Sequence, residues 1–306
     1  MNKNKKEVKI MKIFDCFMYF DEEIVLDVRL NTLNQFVDYF VIVESKYTHR
    51  GDIRNLKFNH KKFEKFKEKI IYLIYENEPK EIEIINNEDD NGEKSRKYIL
   101  NAAYRENGQR NFIKEGLINA DDNDMILVSD LDEIPNLLNV DFSQINEKII
   151  MFKQDMFYYK FNLYLPNLSW TGSKACKKKY LISPQWLRNI KDRKYSFFRL
   201  DTFFSKNKYK DIKFINDGGW HFTNIKNAKE IEYKLKSYLH HREFDENPLS
   251  IKQIEEIIKN KRAIYNLNVD KTENKIGNGN KLEKFEIIKL PFYVQKNLSA
   301  FKEWID

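Results

Sequence analysis

The sequence predicts an α/β fold: a mainly parallel, doubly wound sheet in the first half and an antiparallel, aromatic-rich second half. Three observations carry this. Short apolar runs bounded by polar residues recur at 12–20, 39–44, 70–75 and 125–128, and runs of that length read as buried strands. Helical spacing falls between them, and strands that alternate with helices build parallel sheets. Beyond residue 148 that rhythm gives way to alternating aromatics, as expected of strands with one face in a core.

In order, the strand at 12–20 is followed by Asp21 as a helix N-cap, with Glu22 and Glu23 in the first turn, where the helix dipole favours acids. Leu26, Leu30, Leu33 and Val37 then form one apolar helical face before the strand at 39–44, which makes a βαβ unit. A polar loop at 45–55 leads to a lysine-rich segment holding Phe58, Phe63 and Phe66, read as a solvated helix face. The strand at 70–75 is separated by an acidic loop, 77–93, from a helix over 94–117 that Gly108 weakens and Gly116 helps to end.

In the second half, 148–153 is a strand, and at 156–165 Phe157, Tyr159, Phe161 and Leu163 alternate against Tyr158 and Tyr164. Trp170, Trp186, Phe197, Phe198, Phe203 and Phe204 continue the aromatic region. Helices are expected at 228–239 and 250–265, a loop at 270–281 and a short helix from 291 to about 304. With no repeat and no clean linker, one domain spans 1–306, with halves of about 12–135 and 136–306.

Composition narrows the class. The chain has 306 residues, 42% of them apolar, which is enough for a sizeable core. A net charge of +7 is the difference of 54 basic and 47 acidic residues, and the lysines are spread along the chain. A non-enzymatic polyanion binder, or one of nucleic acid, would need a concentrated basic stripe. Cys16 and Cys176 form neither a disulfide framework nor a zinc pattern and read as reduced thiols. There is no signal peptide and no apolar run of about 18 residues, so the expectation is a cytoplasmic protein without a membrane span.

The chemistry concentrates where the strand at 125–128 ends. Asp130, Asp132 and Glu133 follow within a few positions and Pro135 closes the segment. In an extended segment residues two apart share a side, so Asp130 and Asp132 converge beyond the strand, where open α/β sheets bind ligands. Two carboxylates there repel unless a cation lies between them, and oxygen ligands favour Mg²⁺ or Mn²⁺ on a substrate diphosphate. The plain alternative is a solvated acidic turn. Glu106 and Arg110 stand i, i+4, either as a surface pair or with Arg110 aimed at a diphosphate. His221, between Trp220 and Phe222 after Gly218 and Gly219, is either a packing residue or a third ligand. His240, His241 and Glu243 form the other His/acid cluster. A metal-dependent nucleotidyltransferase or phosphoesterase would use the same acidic turn.

Several blocks carry a resemblance: Asp27-x-Arg29-Leu30-Asn31-x-Leu33, the run Val37 to Ser45, Gln109-Arg110, Ser129-Asp130-Leu131-Asp132-Glu133-Ile134-Pro135 and Gly219-Trp220-His221-Phe222. In order and spacing these resemble glycosyltransferase family 17, the family of β-1,4-mannosyl-glycoprotein N-acetylglucosaminyltransferases, in a compact bacterial or viral form without membrane anchor or stem. The resemblance implies a GT-A-like fold and a metal-dependent, inverting transfer of a sugar, GlcNAc among the options, from a nucleotide-sugar, a UDP-sugar first, to a glycan or lipid-linked glycan. Peripheral membrane contact is compatible with it. On this reading Asp130, Asp132 and His221 hold Mn²⁺ or Mg²⁺ at the diphosphate, Arg110 assists and Glu44 meets the nucleoside. Glu243 or Asp217 deprotonates the acceptor. Trp170, Tyr158 and Trp220 offer it a stacking face.

Overall fold

A computed structural model describes residues 10–193, 195, 205–239, 241–266, 276–277 and 279–306. Phe197, Phe198, Phe203, Phe204, His240 and much of the expected 270–281 loop lie outside these.

β1 (Ile13–Tyr19), β2 (Tyr39–Ser45), β3 (Ile70–Tyr75) and β4 (Met125–Asp130) run parallel in the order β3-β2-β1-β4. β1, β2 and β4 are buried on both sides, as parallel strands covered by helices must be. One face packs against α1 (Glu23–Leu33), where Leu26, Leu30 and Leu33 meet Phe17, Phe40 and Leu127. Full burial of each such leucine contributes about 1.5–3 kcal/mol. The other face meets a 3₁₀ turn at Phe112–Leu117, where Ile113 and Leu117 join Cys16, Val41 and Val128. Layers on both faces make this half doubly wound, as its periodicity predicts. Both cysteines are buried and unbridged, as expected.

The same sheet continues into the second half. β6 (Ile149–Tyr158) and β7 (Leu163–Lys177) form an antiparallel hairpin, with β7 also antiparallel to β4. β8 (Ile212–Ile215) and β9 (Gly219–Thr223) lie parallel to β6, while β5 (Glu133–Pro135) runs antiparallel on β9 and β10 (Glu283–Lys284) on β7. This half is therefore mixed, not antiparallel throughout. The 156–165 stretch spans the end of β6, a turn and the start of β7, antiparallel as expected. Its rings do not sort by alternation, however: Tyr159 has a left-handed φ of 64°, and Tyr158 and Tyr159 are both buried.

Helix limits also differ from expectation. α2 (Asn91–Asn111) starts earlier because Asp90 caps it, accepting from Glu93 N at 2.7 Å. The segment at 56–69 holds only a 3₁₀ turn, Glu64–Phe66, because Phe63 and Phe66 are drawn into the core. Asp21 does not cap α1; it pairs with Lys226 Nζ at 2.5 Å, and Glu22 takes the cap position without a side-chain bond. α3 (Pro184–Asn189) and α4 (Ala228–Ser237) follow, then α5 (His241–Glu246), α6 (Ile251–Lys259) and α7 (Phe292–Lys296). The expected helix at 250–265 stops near Lys259, where Lys261 takes a left-handed φ of 50°. Ile231, Leu235, Phe244 and Ile254 from α4 to α6 pack on Tyr158, Tyr159 and Leu163. Among the described residues no helix is long and apolar enough to cross a membrane.

Candidate functional site

β4 delivers Asp130 at its carboxyl end, and the chain turns at Leu131 and Asp132 before pairing again as β5. Arg29, on α1, holds this turn from beneath. Its Nη1 donates to the carbonyl oxygens of Asp130, Leu131 and Glu133 at 3.1, 3.0 and 2.8 Å. Its Nε and Nη2 donate to Asp15 at 2.8 and 2.6 Å, with both residues fully buried. A buried charge needs this degree of pairing, and the guanidinium fork supplies it.

The three acids of the turn have separate partners. Glu133 is fully buried and accepts from the Trp170 indole at 2.7 Å, from Arg188 at 2.7 and 3.0 Å, and from Asp130 N at 2.8 Å. Asp130 accepts from Arg110 at 2.9 Å and from Arg188 at 3.0 Å. Burial opposes its ionisation, but the Arg188 and Arg110 guanidiniums hold its carboxyl well below the usual range. Asp132 Oδ1 is 3.5 Å from His221 Nε2 and Oδ2 is 3.6 Å from Lys234 Nζ. Despite burial, His221 and Lys234 hold Asp132 low, and against its own burial His221 is raised by Asp132. Lys234 also meets Glu22 at 3.0 Å. Burial works against the Glu22 charge, yet Lys234 and Lys226 pull its carboxyl down to about 2.

Strand pairing brings His221 here. β5 and β9 align Glu133 with His221 and Pro135 with Gly219. Gly219 has a φ of 123°, and a Cβ there would collide with the Ile134 carbonyl, so only glycine permits this approach. Alternation along β9 turns Trp220 to the opposite face, where its indole donates to Lys289 O at 2.9 Å in the core; it does not line the cleft. Trp170 does, with its ring 5.3 Å from that of His221.

The result is a cavity of about 380 Å³ beyond the carboxyl ends of β2, β1 and β4. Arg110, Asp130, Asp132, His221 and Lys234 line one part, and Tyr158, Trp170 and Tyr238 another. Arg110 does pair with Glu106, at 2.7 Å, but its side chain is buried rather than on the surface, and the guanidinium also reaches Asp130 at the cavity wall. Glu44 stands at the end of β2 as expected, but it is fully buried and does not line the cavity. It accepts from Arg54 at 2.9 Å, Tyr72 at 2.8 Å and the backbone N–H groups of Lys57 and Phe58 at 2.6 and 3.1 Å. Asp217 is exposed on the left-handed turn before β9, with φ 49°, outside the cavity lining. Glu243 is exposed on α5; with burial, its charge helps push up the hydroxyls of Tyr238 and Tyr265, which line the cavity.

Arg188, Lys234 and His49 line the site or lock it, and sequence reasoning passed over all three. Arg188 lies in a six-residue helix with no spacing relation to the acidic turn, and Lys234 is one basic residue among 54.

Among the described residues, no group of three or more His, Cys, Asp or Glu side chains is arranged to hold a metal ion. Both Asp130 oxygens are engaged by arginines. Asp132 and His221 form the donor pair that faces the cavity, and the buried His221 Nδ1 has no hydrogen-bond partner. One carboxylate and one imidazole suit Mg²⁺ or Mn²⁺, whose remaining positions are commonly filled by water and substrate phosphate. Asp132 and a deprotonated His221 would supply only part of such an ion's shell, since they face each other and Asp132 also faces Lys234.

A doubly wound sheet with its cleft at the parallel strand ends, lined by paired acids, cations and aromatics, defines an α/β protein with a ligand site in the place such sheets bind ligands. The model of glycosyltransferase family 17 matches residues 2–305, essentially the whole chain. The chain therefore belongs to glycosyltransferase family 17 and is a glycosyltransferase, with a sugar donor and an acceptor as its substrates. No curated protein matches it.

Proposed function

We propose that the chain is a GT-A-like, metal-dependent inverting glycosyltransferase that moves a sugar from a nucleotide-sugar, a UDP-sugar first, to a hydroxyl of a free or lipid-linked glycan. The observation that carries this reading is the convergence of Asp132, His221 and Lys234 beside the Arg-locked Asp130 at one strand-end cleft. Asp132 and His221 would hold Mn²⁺ or Mg²⁺. When bound, the ion supplies Lewis-acid neutralisation of the leaving diphosphate. Lys234, whose ammonium is kept charged by Glu22 and Asp132 against the cost of burial, meets the same negative charge. Arg110 and Arg188 fix Asp130 at the mouth of β4 and keep it ionised. Trp170 and Tyr158 offer an apolar face to a sugar ring. Both acids proposed as base are exposed and outside the cavity lining; we keep Glu243, which stands on α5 close enough for its charge to bear on the cavity-lining Tyr238 and Tyr265. It takes the acceptor proton as the new C–O bond forms, and one in-line displacement inverts the anomeric centre.

The test is a panel of sugar nucleotides with Mn²⁺, Mg²⁺ or EDTA, read by melting temperature and by slow hydrolysis. A metal-dependent upward shift with at least one UDP-sugar, and release of a nucleoside diphosphate, is expected. Release of pyrophosphate, or no shift with any sugar nucleotide, would sink the reading.

A further inference from the structure

His49 lies just beyond β2 in a loop held by Thr48, whose hydroxyl accepts from Gly51 N at 3.2 Å and Asp52 N at 3.0 Å. The His49 side chain lines the cavity. Its Nε2 is 3.2 Å from Gln109 Oε1, and the rest of the network fixes which atom carries the proton. Gln109 Nε2 donates to the Val43 carbonyl at 2.9 Å, and a carbonyl can only accept. The oxygen of Gln109 therefore faces His49, so His49 Nε2 must be the N–H. Gln109 is buried on α2, which leaves little room for the amide to turn over. Burial also pushes the imidazole below its ordinary value, towards the neutral form. In that tautomer Nδ1 is a bare acceptor, and it makes no hydrogen bond among the described residues.

The sheet order places this acceptor. Asp130 ends β4, which is two strands from β2 in the order β2-β1-β4, about 10 Å across the strand ends. A donor whose diphosphate lies near Asp132 and Lys234 and extends along the strand ends brings its nucleoside to the β2 end. Tyr47, two residues before His49, also lines the cavity, whereas the Phe20 ring is already covered by Arg54 and Tyr233.

We infer that His49 is a specificity-determining residue that accepts a hydrogen bond at Nδ1 from a ring N–H of the donor's nucleobase, and so favours uracil over cytosine. This deepens the nucleotide-sugar reading of the cleft and rests on it. Uracil presents N3–H; cytosine presents a lone pair at the same position. A lone pair opposite Nδ1 sets two acceptors against each other, which is a repulsive device for rejecting the wrong base. Gln109 is the positioning residue: by holding the proton on Nε2, it keeps Nδ1 free to accept.

The test is calorimetric binding of UDP and CDP, each with Mg²⁺, to the wild type, His49→Phe and His49→Gln. The wild type is expected to prefer UDP by about 10-fold or more. His49→Phe should lose that preference by weakening UDP, while His49→Gln, which keeps an acceptor oxygen, should retain part of it. Imidazole nitrogen NMR of the wild type is a second arm that needs no variant. It should show Nε2 protonated and Nδ1 bare, with the Nδ1 signal moving on addition of UDP and not of CDP. An unchanged UDP/CDP ratio in His49→Phe, a wild type that binds both equally, or an Nδ1-protonated ring overturns the assignment to His49. A wild type that binds neither nucleotide overturns the nucleotide-sugar reading of the cleft itself, and this inference with it.

Discussion

Arg29 holds Asp15 by two hydrogen bonds, at 2.8 and 2.6 Å, and neither side chain meets solvent. The same guanidinium carries the backbone of the acidic turn, so stability and site geometry share one residue. Arg29→Met leaves the Asp15 charge buried and unpaired, and a loss of about 3–5 kcal/mol is expected in urea unfolding. Adding Asp15→Leu should recover part of that loss. The double variant should stay inactive, because the carbonyls of Asp130, Leu131 and Glu133 still lack their donor. An active double variant would show that the turn keeps its shape without Arg29.

Asp132→Asn should cut turnover by about 100-fold or more while leaving the melting temperature close to wild type. The side chain stands at the cavity wall rather than in the core. Activity should vanish in EDTA and return with Mn²⁺ or Mg²⁺. His221→Ala should raise the metal concentration needed far more than it lowers the melting temperature. Full turnover in chelator would end the metal assignment.

For the base, Glu243→Gln should lower kcat by about 100-fold with donor Kd unchanged, because a general base acts only in the transition state. Asp217→Asn, on an exposed turn outside the cavity lining, should leave kcat close to wild type. The reverse pattern transfers the role to Asp217. Near-normal turnover in both variants places the base on another residue.

Lys174 is buried and donates to the carbonyls of Arg188 at 2.6 Å and Ile190 at 2.7 Å, holding the segment that carries Arg188. Burial pulls its amine down to about 7. The folded value lies below the ordinary lysine value of about 10.4, so between the two the unfolded chain binds more protons. Stability relative to Lys174→Met should therefore be flat below about pH 7 and rise as pH increases towards about 10. Urea unfolding of both proteins across that range reads the difference. A constant or falling difference would show that the amine is not titrating with folding.

Much of the first half was legible because its signals are local. Apolar runs of strand length and the 3.6-residue spacing of Leu26, Leu30 and Leu33 depend on near neighbours, and the structure places β1, α1, β2, β3 and β4 close to those limits. The Lys226 partner of Asp21 and the burial of Phe63 and Phe66 are long-range events, and there the local reading of caps and helices failed. In the aromatic stretch at 156–165 the antiparallel strands were legible but the facing of each ring was not: the neighbours Tyr158 and Tyr159 are both buried, so alternation did not sort them.

At the site, the sequence alone determined the acidic turn at the end of a buried strand, because strand exit, paired carboxylates and Pro135 lie within a few residues of one another. The family blocks pointed to His221 and Arg110 as well. Only the tertiary structure decided which charges meet. Arg188 reaches Asp130 across 58 positions of chain, and Gln109 sets the His49 proton across 60. It also separated the acids by role: Glu133 locks Trp170 and Arg188, Glu44 ties down the 54–58 loop, and Asp132 faces the cleft. Periodicity is set by neighbours along the chain, whereas a buried charge is stable only where packing brings its partner within hydrogen-bond distance, and that partner has no fixed spacing in the sequence.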